Sequence, residues 1–194
     1  MILTDCSQQN IRLKDELCYA YIVVSQTGTI LSRIIRLITK AQYNHVSLSL
    51  HSDLSTMYSF GRVNPYNPVV GGFVIESPKI GTFARFKETE AIIVKVEITQ
   101  EQKNKLKKRL ESMYRRRRLY HYNYIGLFLA ALHICYKKRN CYYCSEFVKD
   151  VLIKSRIFAE EKFDKIVHPM KFLKLEEANI IYQGKLRFFN EEEI

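Results

Sequence analysis

The chain has 194 residues, 47% hydrophobic and 26% charged, which suits one domain over 1–194 with a substantial core and excludes a low-complexity or disordered chain. Its net charge of +11 favours an anionic partner, whether nucleic acid, lipid headgroup or acidic polymer. Residues 1–12 lack a charged-then-apolar secretion signal, no apolar run reaches the length of a bilayer span, and the five cysteines show no disulfide spacing, so the expectation is a cytoplasmic protein without a transmembrane segment.

Residues 17–24 are apolar and aromatic, with β-branched side chains at the end, and predict a buried strand. Ser-Gln-Thr-Gly-Thr at 25–29 breaks it, and Ile30, Leu31, Ile34, Ile35, Leu37 and Ile38 then recur at helical spacing, with Thr27 or Thr29 as cap. Residues 44–50 alternate, placing Val46, Leu48 and Leu50 on one side of a strand and His45, Ser47 and Ser49 on the other. The second side is polar but small, which suits close approach, and a helix beginning at Cys144 is expected to pack there with His45 at the edge of the contact. The plain alternative for His45 is a strand-end residue facing water. Asp53 begins a tight turn, 55–60 reads as the returning strand, and 61–72 reads as an ordered, irregular loop carrying Arg62, Asn64, Pro65, Asn67 and Pro68. Strand character returns at 73–76, where Glu76 stands opposite Phe73 and Ile75, turned either to the polar side of the sheet or to solvent.

Residues 91–98 predict a further strand, and Thr99 with Gln102 a capping box at the start of a basic helix. The cations concentrate at 103–118, with Leu106, Leu110 and Met113 at helical spacing, so this is either an amphipathic helix with a solvated basic face or a dedicated anion-binding patch. No paired zinc ligands or aromatic strand signature accompany it, so no specific nucleic-acid partner is expected. Residues 122–133, with Ile125, Leu127, Phe128, Leu129 and Leu132, are apolar on nearly all sides and predict a buried helix. One helical turn is expected at 169–173 and a last short strand at 180–182.

The stretch Asn-Cys-Tyr-Tyr-Cys-Ser-Glu-Phe-Val at 140–148 closes a basic loop and opens an amphipathic helix to Lys154, with Phe147, Val148, Val151 and Leu152 on its buried face. Cys144 falls in the first turn, where the helix dipole and unpaired backbone N–H groups favour an anion, a place suited to a nucleophile. Two other readings stand beside it. One is a packing cysteine. The other makes Cys141 and Cys144 a CxxC pair of the redox or zinc kind, although no second CxxC or suitably spaced CxxH follows.

The order of parts carries a resemblance: a first strand and short helix, a Thr-x-x-x-Tyr-Asn-His-Val-Ser-Leu strand, a hairpin, then a Tyr-x-Cys-Ser-Glu-Phe-Val helix start. It resembles the circularly permuted papain-like amidases, the YiiX-like branch of the NlpC-type cell-wall peptidase superfamily. The likeness runs from Tyr19 to Leu173 and is most specific at 44–50 and 142–148. It implies an α+β, permuted papain-like fold: a small, curved antiparallel sheet packed against helices that include the nucleophile helix.

The resemblance also implies that Cys144 is the nucleophile, His45 the general base and Glu76 the residue that orients the imidazole, with Ser59 a second candidate for that last place. A histidine takes the thiol proton and returns it to the leaving group, a carboxylate on the far ring nitrogen sets the tautomer, and backbone N–H groups at the helix start hold the oxyanion. No metal or cofactor is required. Tyr43, Tyr58, Arg62, Tyr66 and Tyr143 are expected to shape a pocket for a small peptide, amide or acyl substrate, or else to be packing. Two functions follow: a cysteine-dependent hydrolase or acyltransferase, or a non-catalytic module binding an anionic surface or polymer through residues 103–118.

Overall fold

The strands in this chain have two unlike faces, and the side on which each helix settles follows from that. In a computed structural model, which describes residues 17–26, 42–64 and 67–193, eight strands form one sheet. They are β1 (Cys18–Gln26), β2 (His45–Ser49), β3 (Met57–Asn64), β4 (Asn67–Glu76), β5 (Glu90–Ile98), β6 (His121–Tyr122), β7 (Cys141–Tyr142) and β8 (Asn179–Lys185). The sheet order is β7-β6-β4-β3-β2-β1-β5-β8, antiparallel throughout except for the β6–β7 pair. The helices are α1 (Gly81–Arg85), α2 (Gln100–Arg115), α3 (Tyr124–Ala131) and α4 (Cys144–Lys154). The fold is therefore α+β on an open, mixed sheet, larger than the small antiparallel one expected. The helix expected at 30–39 and the side chain of Tyr66 lie outside the described residues.

One face of the sheet holds the main core. Ile22, Val24, Val46, Leu48, Phe60 and Phe73 meet Leu106, Leu110 and Met113 of α2 and Phe147, Val148, Val151 and Leu152 of α4. The second face carries a smaller cluster of Tyr21, Val23, Met57, Phe83, Ile93 and Leu186. Thus α4 packs on the Val46 and Leu48 side of β2, not on the Ser47 and Ser49 side where it was expected. The reason is energetic. Burying a large apolar side chain against others contributes roughly 1.5–3 kcal/mol, which a row of serines does not offer. Ser49 instead donates to the Thr56 carbonyl oxygen at 2.8 Å and Ser59 to that of Val46 at 2.7 Å.

The irregular loop expected at 61–72 is mostly strand. β3 and β4 pair from Met57 with Glu76 to Asn64 with Asn67, across a shift between Arg62 and Asn64. Gly71 has a packing reason rather than a turn reason: a Cβ there would stand 2.7 Å from both the Tyr122 Cβ and the Tyr124 hydroxyl. Among the described residues the β4–β6 pairing is confined to Gly72 and His121.

α2 starts with both arms of the expected capping box, Gln102 N–H to Thr99 Oγ1 at 3.2 Å and Thr99 N–H to Gln102 Oε1 at 2.8 Å. α3 departs from expectation. Within it only Gly126 and Ala130 are buried, while Ile125 and Phe128 are exposed. A helix apolar on all sides has no periodicity to say which side finds a neighbour, and this one lies at the β6–β7 end of the sheet. Among the described residues no helix is long and apolar enough to cross a membrane.

Candidate active site

Packing of Phe147 and Val148 on Val46 and Leu48 pins the first turn of α4 against the start of β2. Tyr143 caps the helix with extended backbone, and the Glu146 carboxylate in the first turn lies near the Tyr143 backbone and the Asn123 side chain, its pKa raised by burial. Cys144 is the first helical residue, 4% exposed, with its Sγ 3.9 Å from the Asn44 carbonyl oxygen. The next residue, His45, opens β2, and its ring stands within electrostatic reach of the Cys144 thiol.

The imidazole faces a carboxylate on its other side. His45 Nε2 lies 3.0 Å and 3.2 Å from the two oxygens of Glu76, which ends β4. Ser47, two residues on from His45 and on the same strand face, donates to Glu76 Oε2 at 2.6 Å. With Nε2 committed to Glu76, Nδ1 is the ring nitrogen left for the thiol. The Phe83 ring of α1 lies 6.2 Å away, tilted over the imidazole.

Burial opposes a charge on His45, but the Glu76 carboxylate, with hydrogen bonds to Cys144 and Glu76, outweighs it and pushes the imidazole pKa up to about 10. Burial also opposes charge on Glu76. The neighbouring imidazolium, hydrogen bonds from His45 and Ser47, and the Arg62 guanidinium nevertheless hold it below the usual carboxylate range. The pair, with side chains 13% and 10% exposed, is thus a largely buried, mutually charged one, stabilised by hydrogen bonds on both partners.

The remaining candidates divide. Ser59 is buried and spends its hydroxyl on the Val46 carbonyl, so the structure brings Glu76 and not Ser59 to His45. Tyr43 is packed into the main core, and Tyr58 is half-buried with its ring 6.1 Å from Phe73, near Glu111 and Tyr114 of α2. These two tyrosines therefore serve packing, because the apolar face of the sheet is where α2 and α4 dock. Arg62 lies near Glu76 with its guanidinium 5.4 Å from the Phe86 ring, and burial, then the nearby Arg85, lowers its pKa. A cleft of about 500 Å³ opens beside Glu76, with Arg62, Val63, Val70, Ile80, Arg117 and Arg118 in its walls. Tyr143 is buried beside Cys144, and burial raises its hydroxyl pKa.

Two residues escaped the sequence reading. Ser47 was visible in the alternation, two positions from His45 on one face. Tyr122 was taken for the start of a helix, although Asn123 is a good N-cap and places Tyr122 before it. Its hydroxyl pKa is raised by burial, then by Cys144, Tyr124, Tyr143 and Glu76, which puts the phenol within electrostatic reach of both the thiol and the carboxylate. Gly71 admits this ring.

Cys135, Cys141 and Cys144 are in no disulfide, Cys18 Sγ donates to Gln100 Oε1 at 2.9 Å, and Cys141 lies in β7 paired with His121. Among the described residues no group of three His, Cys, Asp or Glu side chains is placed to hold a metal ion. No family model, curated protein or solved structure matches the chain.

Proposed function

We propose that this protein is a cysteine-dependent hydrolase or acyltransferase that opens an amide, peptide or acyl bond through Cys144, His45 and Glu76, on a permuted papain-like fold. One observation carries the proposal: the largely buried His45 imidazole, 3.0 Å from the Glu76 carboxylate, belongs to the residue next to Asn44, whose carbonyl oxygen lies 3.9 Å from Cys144 Sγ, so that thiol, imidazole and carboxylate are gathered at one point. A core cysteine needs neither partner, and burying a carboxylate beside a histidine costs desolvation that packing alone does not justify.

The chemistry runs in two halves. The Cys144 proton passes to His45, whose raised proton affinity and Glu76 partner hold it as imidazolium. The sulfur then attacks the substrate carbonyl, and the oxyanion is met by N–H groups of the first turn of α4, which have no intrahelical acceptor. His45 gives its proton to the departing amine or alcohol, leaving a thioester on Cys144. In the second half water, or another acceptor, loses a proton to His45 as it attacks the thioester, and the thiol is restored.

The second reading, a module that binds anions through residues 103–118, rests on charge alone. Several of those cations are held within the molecule, Lys105 by Glu101, Arg109 by Asp150 and Arg116 by Ser112. A thiol-directed probe with an amide warhead separates the two. Rapid labelling confined to Cys144 and lost in His45→Ala supports the enzyme; slow, equal labelling of all the cysteines refutes it.

A further inference from the structure

We propose that α3 and the basic turn after it form a docking surface for an anionic lipid bilayer. Ile125 and Phe128 are each 61% exposed and Leu132 54%. Their three- and four-residue spacing places them on one side of the helix. Ile134, also exposed, is drawn back to the helix by its N–H bond to the Leu129 carbonyl. Scattered exposed aliphatic residues are ordinary, whereas four large ones gathered on one element mark an interaction site.

Charge selects the occupant. Directly after the apolar residues come Lys137, Lys138 and Arg139, all exposed, and the stretch from Tyr124 to Arg139 contains no aspartate or glutamate. An apolar face followed in the chain by three exposed cations, with no acid in that stretch, is complementary to acyl chains beneath anionic headgroups. The net charge of +11 adds long-range attraction to the same surface. At eight residues, α3 is about 12 Å long, far short of a hydrocarbon core of about 30 Å, so it lies on the bilayer and does not cross it.

The surface is held rigidly. Asn123 accepts from the Gly126 N–H at 2.9 Å, its Nδ2 donates to the Tyr136 carbonyl at 3.3 Å, and its own N–H donates to the Tyr142 carbonyl at 3.0 Å. Both ends of the apolar segment are thereby tied to β7, next to Tyr143 and Cys144. Docking stands whether or not Cys144 is a nucleophile.

The test is co-sedimentation of the full chain with vesicles of phosphatidylcholine plus phosphatidylserine and of phosphatidylcholine alone, at low and high salt. Binding to the anionic vesicles that fades with salt is expected. The triple variant Lys137→Glu, Lys138→Glu, Arg139→Glu should weaken it about 100-fold at low salt, from roughly a factor of five per cation. Ile125→Ser with Phe128→Ser should weaken it at every salt concentration, while Lys107→Glu with Lys108→Glu on α2 should weaken it far less than the triple variant. All these side chains are exposed, and circular dichroism checks that the variants fold. Absence of binding to anionic vesicles at low salt overturns the proposal, as does binding that survives both the triple and the double variant. A dimer in solution that the serine variants dissociate, with no vesicle binding, would assign the face to a second copy of the chain and equally overturn it.

Discussion

Glu76→Gln isolates the charge on the third residue of the candidate site. The side chain keeps its shape, but an amide presents one donor and one acceptor where the carboxylate presents two acceptors. Glu76 Oε2 accepts from both His45 and Ser47, and Oε1 also lies 3.2 Å from His45 Nε2, so in either orientation the NH₂ group of glutamine faces the imidazole as a donor toward a donor. Removing the carboxylate also leaves burial as the main influence on His45, and its pKa falls from about 10 toward its ordinary 6.5 or lower. At pH 8 the imidazolium population then drops from nearly full to about 3%, a loss of about 30-fold before any misorientation is counted. The corresponding Asp→Asn change in a Ser-His-Asp triad costs about 10⁴ in turnover, which sets the upper end. The assay is the rate of probe labelling at Cys144 across pH, with Ser59→Ala in parallel. The reasoning fails if Glu76→Gln labels at the parent rate and keeps the parent pH profile, and Ser59→Ala slowing the reaction instead would point to the hydroxyl.

The pH dependence of stability has a definite sign. His45 has a raised folded pKa, so its contribution is complete below about 6.5 and lost as pH rises toward about 10, while Glu76, with a lowered pKa, contributes above its ordinary 4.5 and loses that as pH falls. Thermal melting should therefore peak between these limits, and His45→Gln should flatten the alkaline decline; a melting temperature unchanged from pH 6 to 10 in the parent would contradict the charged pair. Tyr122→Phe retains the ring against Gly71 and removes the hydroxyl, and should slow labelling of Cys144 with little change in melting, because the phenol's dipole no longer acts on the thiol and the Glu76 carboxylate. Equal rates in the two proteins would make that hydroxyl a bystander. Gly126→Ala sets a Cβ 2.1 Å from Asn123 Nδ2, displacing the cap of α3, and should cost about 1–2 kcal/mol in chemical denaturation. A neutral result would mean that α3 does not depend on its cap.

Much of this arrangement was legible because it rests on local rules. The Thr99 capping box, the amphipathic spacing of α2 and α4, and the alternation that sets His45 and Ser47 on one face are all read from neighbours within a few residues. The parts that were misread depend on what lies across space. Alternation divides β2 into two faces but does not say which one α4 takes, and the apolar face won because Phe147 and Leu152 needed partners. Glycines and prolines between Gly61 and Gly72 look like a loop, yet Gly71 is small to admit Tyr122 and Tyr124. β6 and β7 are two residues each, too short to show any pattern. α3 is rich in apolar residues, yet Ile125 and Phe128 are exposed on it, a fact about the end of the sheet that no local window contains. The nearness of Glu76 to His45 was expected from the family resemblance and supported by chemistry, a carboxylate being the group that holds an imidazolium.

Asn123 fills a position that tolerates no acid. Its oxygen receives the Gly126 N–H while its nitrogen serves the Tyr136 carbonyl, and it stands beside Glu146, whose pKa burial has already raised. Asparagine alone among the good N-caps has a donor and an acceptor on one planar group. Conversion of that amide to a carboxylate, the change that deamidation brings as a protein ages, exchanges a single nitrogen for oxygen. It removes the tie to Tyr136 and sets a second carboxylate against Glu146, so chemical ageing at this side chain would loosen α3 and the start of α4 together.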